Sequence, residues 1–269
     1  MDRLAFFGVR PGRDERTWEL PVTPELCSGM RTLFGGATMG AVAEVVERLA
    51  GRPPVWLSGQ FLSVAHPGDV VELEVHRPAT GRRLSQLRVV GRGQQREIVH
   101  VAATLGRGSI ETPDPPERPA PEVLPPDTSP PRPTLARFAG TIIDRVDIRL
   151  ACRRDGSERP GRLGRGRAGF WARLPELEAS PAAMAILGDF VPAGLGAALG
   201  APVIPQSLDN TLRIVRHDPT DWYLIEVQLD GAANGIAHGT ATLWSDRGVV
   251  LATASQTTVL RPMPDDPGT

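Results

Sequence analysis

The sequence contains no lysine and has few cysteines and few aromatic side chains. All 30 basic residues are arginine, which excludes a lysine Schiff base and a lysine nucleophile. The two cysteines, Cys27 and Cys152, lie far apart in the chain and do not have metal-ligand spacing. They therefore predict neither a disulfide framework nor a zinc site. The five histidines show no zinc spacing either.

Charge and hydropathy exclude further classes of protein. The formal net charge is -1 and no long run of one sign occurs, so the sequence lacks the basic field that a nucleic-acid binder needs. No stretch approaches the roughly 18 uninterrupted apolar residues of a membrane span. The N-terminus carries acids and arginines where a signal peptide has an apolar segment. We expect no nucleic-acid partner, no membrane partner and a cytoplasmic location.

Prolines are concentrated in one segment near the middle of the chain. Ten of the 27 prolines fall between Pro113 and Pro133, a density that suits neither a helix interior nor a sheet ladder. Such a segment is typical of an extended, semi-rigid linker. A chain of 269 residues is also long enough for two domains. We predict an N-terminal domain at residues 1–110, a linker at 111–134 and a C-terminal domain at 135–264.

The two halves align with each other at an offset of 152 residues, which places Gly188 on Gly36. At the same offset VVELEV, at residues 70–75, falls on WYLIEV, and the stretch at 97–105 falls on that at 249–257. Similarity at one fixed offset indicates an internal repeat. A chance alignment of two strand-rich halves is the alternative. We favour a duplicated domain.

Each half shows the same order of predicted elements. An opening strand region is followed by an apolar segment rich in glycine and alanine, whose length and periodicity predict a buried helix at residues 35–49 and at 181–199. Strands are predicted at 55–64, 70–76, 84–91 and 97–105, and again at 203–216, 222–229, 235–244 and 249–260. One long helix wrapped by an antiparallel sheet, occurring twice, predicts an α+β protein with a double hotdog fold.

Several short motifs resemble those of one family. They are RTLFGG at residues 31–36, a Pro-Gly-Asp turn at 67–69, ILGDF at 186–190, SLDN at 207–210 and the final run DRGVVLATASQTTVLR at 246–261. In this order they resemble the acyl-CoA thioesterase II (TesB-like) family, over nearly the whole chain apart from the linker. The resemblance implies hydrolysis of an acyl-CoA to a free acid and CoA, with water as the nucleophile and no cofactor or metal.

The resemblance also implies catalytic residues. The family holds its water with an Asp, a Thr and a Gln, and the matching positions for the acid and the amide are Asp209 and Gln256. For the threonine, the region after Trp222 offers only Gln228 or Asp230. We therefore expect Asp209 and Gln256 to be catalytic, with Gln228 and Asp230 as candidates for substrate binding.

The residues themselves suit this chemistry, because thioester hydrolysis needs an acceptor that orients water and donors that stabilise an oxyanion. Asp209 can accept a proton, and Gln256 offers both donors and an acceptor. Gly35 and Gly36, at a helix start, are candidates for the oxyanion site. The alternatives are that Asp209 is an ordinary strand carboxylate, that the Gln256 amide faces solvent, and that the two glycines serve only tight helix packing. Asp189, aligned with Ala37, is a candidate for a supporting acid, with a polar contact on the helix face as the alternative.

The sequence thus predicts an acyl-CoA thioesterase. A non-catalytic acyl-CoA or acyl-chain binding protein of the same fold is the alternative, since the family's threonine has no match after Trp222. Hotdog domains bury sheet faces and edges against one another, which favours a homo-oligomer.

Overall fold

The computed structural model describes residues 3–111, 118–133, 135–199 and 203–262. Part of the predicted linker, at 112–117 and 134, lies outside the described residues, and so do the predicted domain ends at 1–2 and 263–264.

Helices and strands of the two halves follow one another in a repeated order. The helices are α1 (Arg3–Phe7), α2 (Gly35–Ala50), α3 (Pro181–Gly188) and α4 (Val191–Leu199). The strands are β1 (Arg10–Pro11), β2 (Thr17–Pro21), β3 (Pro54–Phe61), β4 (Val70–Thr80), β5 (Leu84–Gly93), β6 (Arg96–Gly106), β7 (Asp147–Leu150), β8 (Arg167–Arg173), β9 (Val203–Ser207), β10 (Asp209–Ile214), β11 (Tyr223–Ala233), β12 (Ile236–Ser245) and β13 (Val250–Pro262). Short 3-10 helices occur at Pro24–Leu26, Pro126–Thr128, Ala136–Phe138 and Ile142–Arg145.

The described strands form one antiparallel sheet in the order β1-β2-β4-β5-β6-β3-β10-β13-β12-β11-β8-β7, with β9 also paired to β13. The pairing of β3 with β10 joins the two halves. The sheet wraps around the long helices, and α2 packs against α3 at the centre. This arrangement confirms the double hotdog fold that the sequence predicts.

The strand register supports the internal repeat. Leu57 pairs with Leu212, and Gln60 pairs with Asp209. By the predicted offset, Asp209 is the repeat equivalent of Leu57, and Leu212 is the repeat equivalent of Gln60. The two pairs are therefore equivalent to each other. The last strand departs from the offset by one residue. Gly91 pairs with Val99, whereas the equivalent Leu243 pairs with Ala252 and not with Leu251. The β-bulge lies at the equivalent place in both halves, so the extra residue lies in the turn that follows: Gly93 pairs with Arg96, whereas the Ser245 N–H donates to the carbonyl of Val249.

The second central helix is broken in two, where the sequence predicts one continuous segment at 181–199. Pro192 has no N–H to donate to Gly188, and in a continuous helix its ring would clash with the Gly188 carbonyl. The turn between α3 and α4 contains Asp189 and Phe190. By length and hydropathy, Pro181–Leu199 could cross a membrane, but 72% of that window is buried inside the protein. Its apolar composition is that of a core element.

The proline-rich segment packs on the second half of the sheet. Residues 118–133, here called the strap, form single bridges from Val123 to Arg153 and from Pro131 to Arg149. The carbonyl of Leu124 accepts a hydrogen bond from the Trp171 indole at 3.0 Å. The sequence predicts a spacer, and the strap instead covers apolar side chains on the outer face of the sheet.

Candidate functional site

Asp189 is the most deeply buried carboxylate near the meeting point of the two halves. It caps the C-terminus of α3, and its side chain extends to the first turn of α2. The residue is 3% exposed. The break before Pro192 explains this position, because a continuous helix would keep the Asp189 side chain on its own surface.

Three N–H groups hold the Asp189 carboxylate. Its Oδ2 accepts from the backbone N–H of Gly36 at 2.6 Å. Its Oδ1 accepts from the Asn210 amide at 3.2 Å and from the Gln256 amide. A carboxylate has about four acceptor positions, so one remains for a further donor. The first turn of a helix also favours a negative charge beside it.

The pKa of Asp189 lies far from that of an ordinary aspartate. Burial is the largest influence and raises the pKa to about 7, while the hydrogen bonds from Gly36, Gln256 and Asn210 oppose the rise. Near this pH the carboxylate exists in both protonation states. A group of this kind can accept a proton from water and release it again.

A break in the strand places two polar side chains beside Gln256. β9 and β10 both pair with β13 and are separated by Leu208. In a regular strand, residues 207 and 210 would face opposite sides. Because the strand is interrupted at Leu208, the Ser207 hydroxyl donates to Gln256 Oε1 at 3.4 Å while Asn210 reaches Asp189.

Gln256 therefore connects an acid with a hydroxyl group. The sequence predicts Gln256 as a site residue, but together with Asp209. Gln256 is 3% exposed, and its amide donates to Asp189 while its carbonyl accepts from Ser207. Asn210 is 1% exposed, and its Oδ1 has no hydrogen-bond partner within the described residues. Sequence reasoning missed Ser207 and Asn210 as site residues, although both belong to the SLDN motif.

Gly35 and Gly36 serve packing and hydrogen bonding together. A Cβ on Gly36 would lie 2.7 Å from the Asp189 Cβ, and one on Gly35 would lie 2.6 Å from the Phe61 ring. The Gly36 N–H is already bonded to Asp189. Within the described ranges, the backbone N–H of Gly35 has no acceptor, and Gly35 lines the adjoining cavity.

Asp209 lies outside this cluster. Its carboxylate accepts a hydrogen bond from the backbone N–H of Thr257 at 2.7 Å, where the break at Leu208 interrupts the strand ladder. The residue is half-buried and stands opposite Gln60 in the sheet. This contact gives Asp209 a structural role in the strand, and its predicted catalytic role stays a prediction.

Gln228 and Asp230 also lie away from the cluster. Both are on β11, which β12 separates from β13, so they are roughly 10 Å or more from Gln256 at the usual strand spacing. The Gln228 amide donates to the carbonyl of Leu229, and Asp230 is exposed. Neither residue lines the cavity next to Asp189. The substrate-binding role predicted for them stays a prediction.

A cavity of about 520 Å³ connects the cluster to the surface. Asp189, Ser207 and Gly35 line it at the buried end. Met30, Val64 and Leu135 line it as well and are 49%, 38% and 44% exposed, so they mark its mouth. Most of the remaining wall is apolar and includes Phe34, Phe61, Ile143, Phe190 and Ala193. Among the residues that the structure describes, no group of three or more metal-binding side chains is found.

Comparison with known proteins identifies the family. Residues 23–106 match a model of the acyl-CoA thioesterase N-terminal domain, and residues 116–260 match a model of the acyl-CoA thioesterase C-terminal domain. The chain therefore belongs to the acyl-CoA thioesterase family. No curated protein matches the sequence.

Solved structures agree with this fold. A candidate thioesterase from Novosphingobium aromaticivorans is 31% identical with a TM-score of 0.82, and the match covers 93% of this chain and 97% of that chain. An acyl-CoA thioesterase II from Mycobacterium marinum is 20% identical with a TM-score of 0.75, covering 95% and 96%. A dehydratase domain from Pseudomonas fluorescens is 13% identical with a TM-score of 0.54, covering 91% and 94%. The hotdog fold alone thus serves more than one reaction.

Proposed function

We propose that the protein hydrolyses acyl-CoA thioesters, with Asp189 as the base that activates water. The observation that carries the proposal is a buried carboxylate whose pKa is about 7, lining a mostly apolar cavity. Its remaining acceptor position can hold a water molecule. An acyl chain in the cavity would bring its thioester carbonyl to this water.

The neighbouring side chains supply the other parts of the reaction. Gln256 and Ser207 form a hydrogen-bonded pair beside Asp189 and would orient the water. These residues provide the acid, hydroxyl and amide that the family resemblance implies, with Asp189 and Ser207 at positions other than those expected. The free N–H of Gly35 would stabilise the oxyanion. Water attacks the carbonyl carbon as Asp189 takes its proton, and the carbon–sulfur bond then breaks to release the thiolate of CoA.

The first test is the release of free thiol from acyl-CoAs of short, medium and long chain. We expect release that depends on chain length, because the cavity has a limited volume and a mostly apolar wall. A protein that releases no thiol above background but gains thermal stability from long acyl-CoAs would instead be the non-catalytic binding protein. The predicted cytoplasmic location and homo-oligomer remain predictions.

The pH profile of the reaction is a second prediction. Asp189 must be ionised to act as a base, and burial raises its pKa to about 7. The rate should therefore be low at pH 5, rise through pH 7 and level off above it. We expect this rise in kcat/KM for a medium-chain acyl-CoA, measured together with the folded fraction at each pH. A flat profile between pH 5 and pH 8 would exclude Asp189 as the base.

A further inference from the structure

Two arginines stand at the mouth of the cavity. Arg132, at the end of the strap, and Arg137, in the short helix Ala136–Phe138, both line the cavity that leads to Asp189. Within the part of the chain that the structure describes, neither guanidinium forms a salt bridge.

The two guanidinium groups share one aromatic ring. The Cζ of Arg132 lies 4.6 Å from the ring centroid of Phe138, and that of Arg137 lies 4.9 Å away. The ring is fixed by a close approach to Gly29, where a Cβ would lie 2.8 Å from two ring atoms. The backbone of Arg132 is fixed as well, since its N–H donates to the carbonyl of Ile148 at 2.9 Å. The two Cζ atoms therefore lie no more than 9.5 Å apart, on either side of or above a ring that is held in place.

Like charges in this arrangement repel each other. Burial and the charge of Arg137 both lower the pKa of Arg132, which agrees with a site that lacks a counter-ion. An anion at the cavity mouth that both side chains reach would reduce the repulsion and receive charge-assisted hydrogen bonds from both. Guanidinium forks match phosphate oxygens especially well.

We propose that Arg132 and Arg137 bind a phosphate ester at the end of a pantetheine arm whose acyl chain occupies the cavity. The inference rests on the proposed function, because the thioester lies between the chain and that arm. A phosphate of this kind occurs in CoA and in the phosphopantetheine group of an acyl carrier protein. The shared chemistry is an anionic ester at the mouth of an apolar cavity, with the thioester near Asp189.

The test compares substrates with and without phosphate. We expect the double variant Arg132→Gln with Arg137→Gln to raise KM for an acyl-CoA roughly tenfold or more, and to leave an acyl-pantetheine thioester, which has no phosphate, unchanged. Acyl-phosphopantetheine and an acyl carrier protein distinguish the two sources. If the double variant raises KM for acyl-phosphopantetheine as much as for acyl-CoA, the phosphate of the pantetheine arm suffices. If KM rises only for acyl-CoA, the two arginines bind the nucleotide phosphates.

Controls separate this proposal from the proposed function. Arg88→Gln removes an exposed arginine from a different cavity and should not change KM. Direct titration with CoA needs no turnover, so weaker binding by the double variant would support the phosphate site even if no substrate is hydrolysed.

A variant with lysine at both positions keeps the two positive charges and is used if the glutamine variant does not fold. Equal effects on acyl-CoA and acyl-pantetheine, or none on either, would overturn the proposal.

Discussion

Replacing Asp189 with asparagine is expected to lower kcat for acyl-CoA hydrolysis by about 10²- to 10⁴-fold, the usual contribution of a positioned base. Asparagine has nearly the same shape and keeps one oxygen, so Gln256 or Asn210 can still donate to it. It cannot take a proton from water. The measurement is thiol release at saturating acyl-CoA and pH 8, with the folded state verified by thermal unfolding. A variant that keeps a third of the activity would exclude Asp189 as the base.

The matched comparison is Asp209→Asn, since the family resemblance assigns the acid to this residue. Asparagine at 209 can still accept the hydrogen bond from the Thr257 N–H through its side-chain oxygen. If Asp189 is the base, the Asp209 variant should lose less than about tenfold, well below the range for a lost base. A large loss at Asp209 together with a small loss at Asp189 would support the original prediction. The two variants thus decide between the two carboxylates.

Sequence reasoning predicts the fold better than it predicts the site. The first long helix was expected at residues 35–49 and is observed at Gly35–Ala50, because a buried helix and its final Gly51 leave a clear pattern. Gly51 has a φ of 63°, which suits a glycine that ends a helix. A strand with alternating apolar and polar residues, such as β4, also leaves a clear local pattern in the sequence.

The site depends on features that no local pattern encodes. Asp189 becomes a partner of Gly36 only because Pro192 breaks the helix and the two central helices pack together. The two residues are 153 positions apart. The repeat alignment, which places Asp189 on Ala37, was the one available signal, since a charged residue on an otherwise apolar helix needs a partner. The place of Ser207 beside Gln256 depends on the break at Leu208, which no local pattern predicts.

One local pattern did carry information about the outer face of the second half. The run at residues 222–227 reads WYLIEV and is mostly apolar, whereas its repeat equivalent VVELEV alternates. A strand with apolar residues on both sides is covered on both sides. Trp222 and Leu224 indeed pack on the outer face, and Tyr223 and Ile225 pack in the core. The strap supplies the outer cover.

This cover makes Trp244→Ala the substitution with the largest expected effect on stability. Trp244 is 0% exposed and packs with Trp171 and Trp222 beneath the strap. Its indole donates to the buried Glu226 at 3.3 Å, and the Arg118 guanidinium of the strap lies 5.3 Å above its ring. Truncating a buried tryptophan leaves a cavity and costs about 3–5 kcal/mol. We expect a loss of this size in the free energy of unfolding by urea.

The matched control is Trp56→Ala, because Trp56 lies on β3 and is only half-buried. Its truncation should cost less, about 1–2 kcal/mol, since part of the side chain already contacts water. Loss of Trp244 should also free the strap locally, so limited proteolysis of the Trp244 variant should cleave within residues 118–133 faster than in the Trp56 variant. Equal losses in both variants would mean that the strap is not anchored through this cluster. Arg132, next to the end of the strap, lines the cavity, so the attachment of the strap on the outer face helps to fix one wall of the cavity.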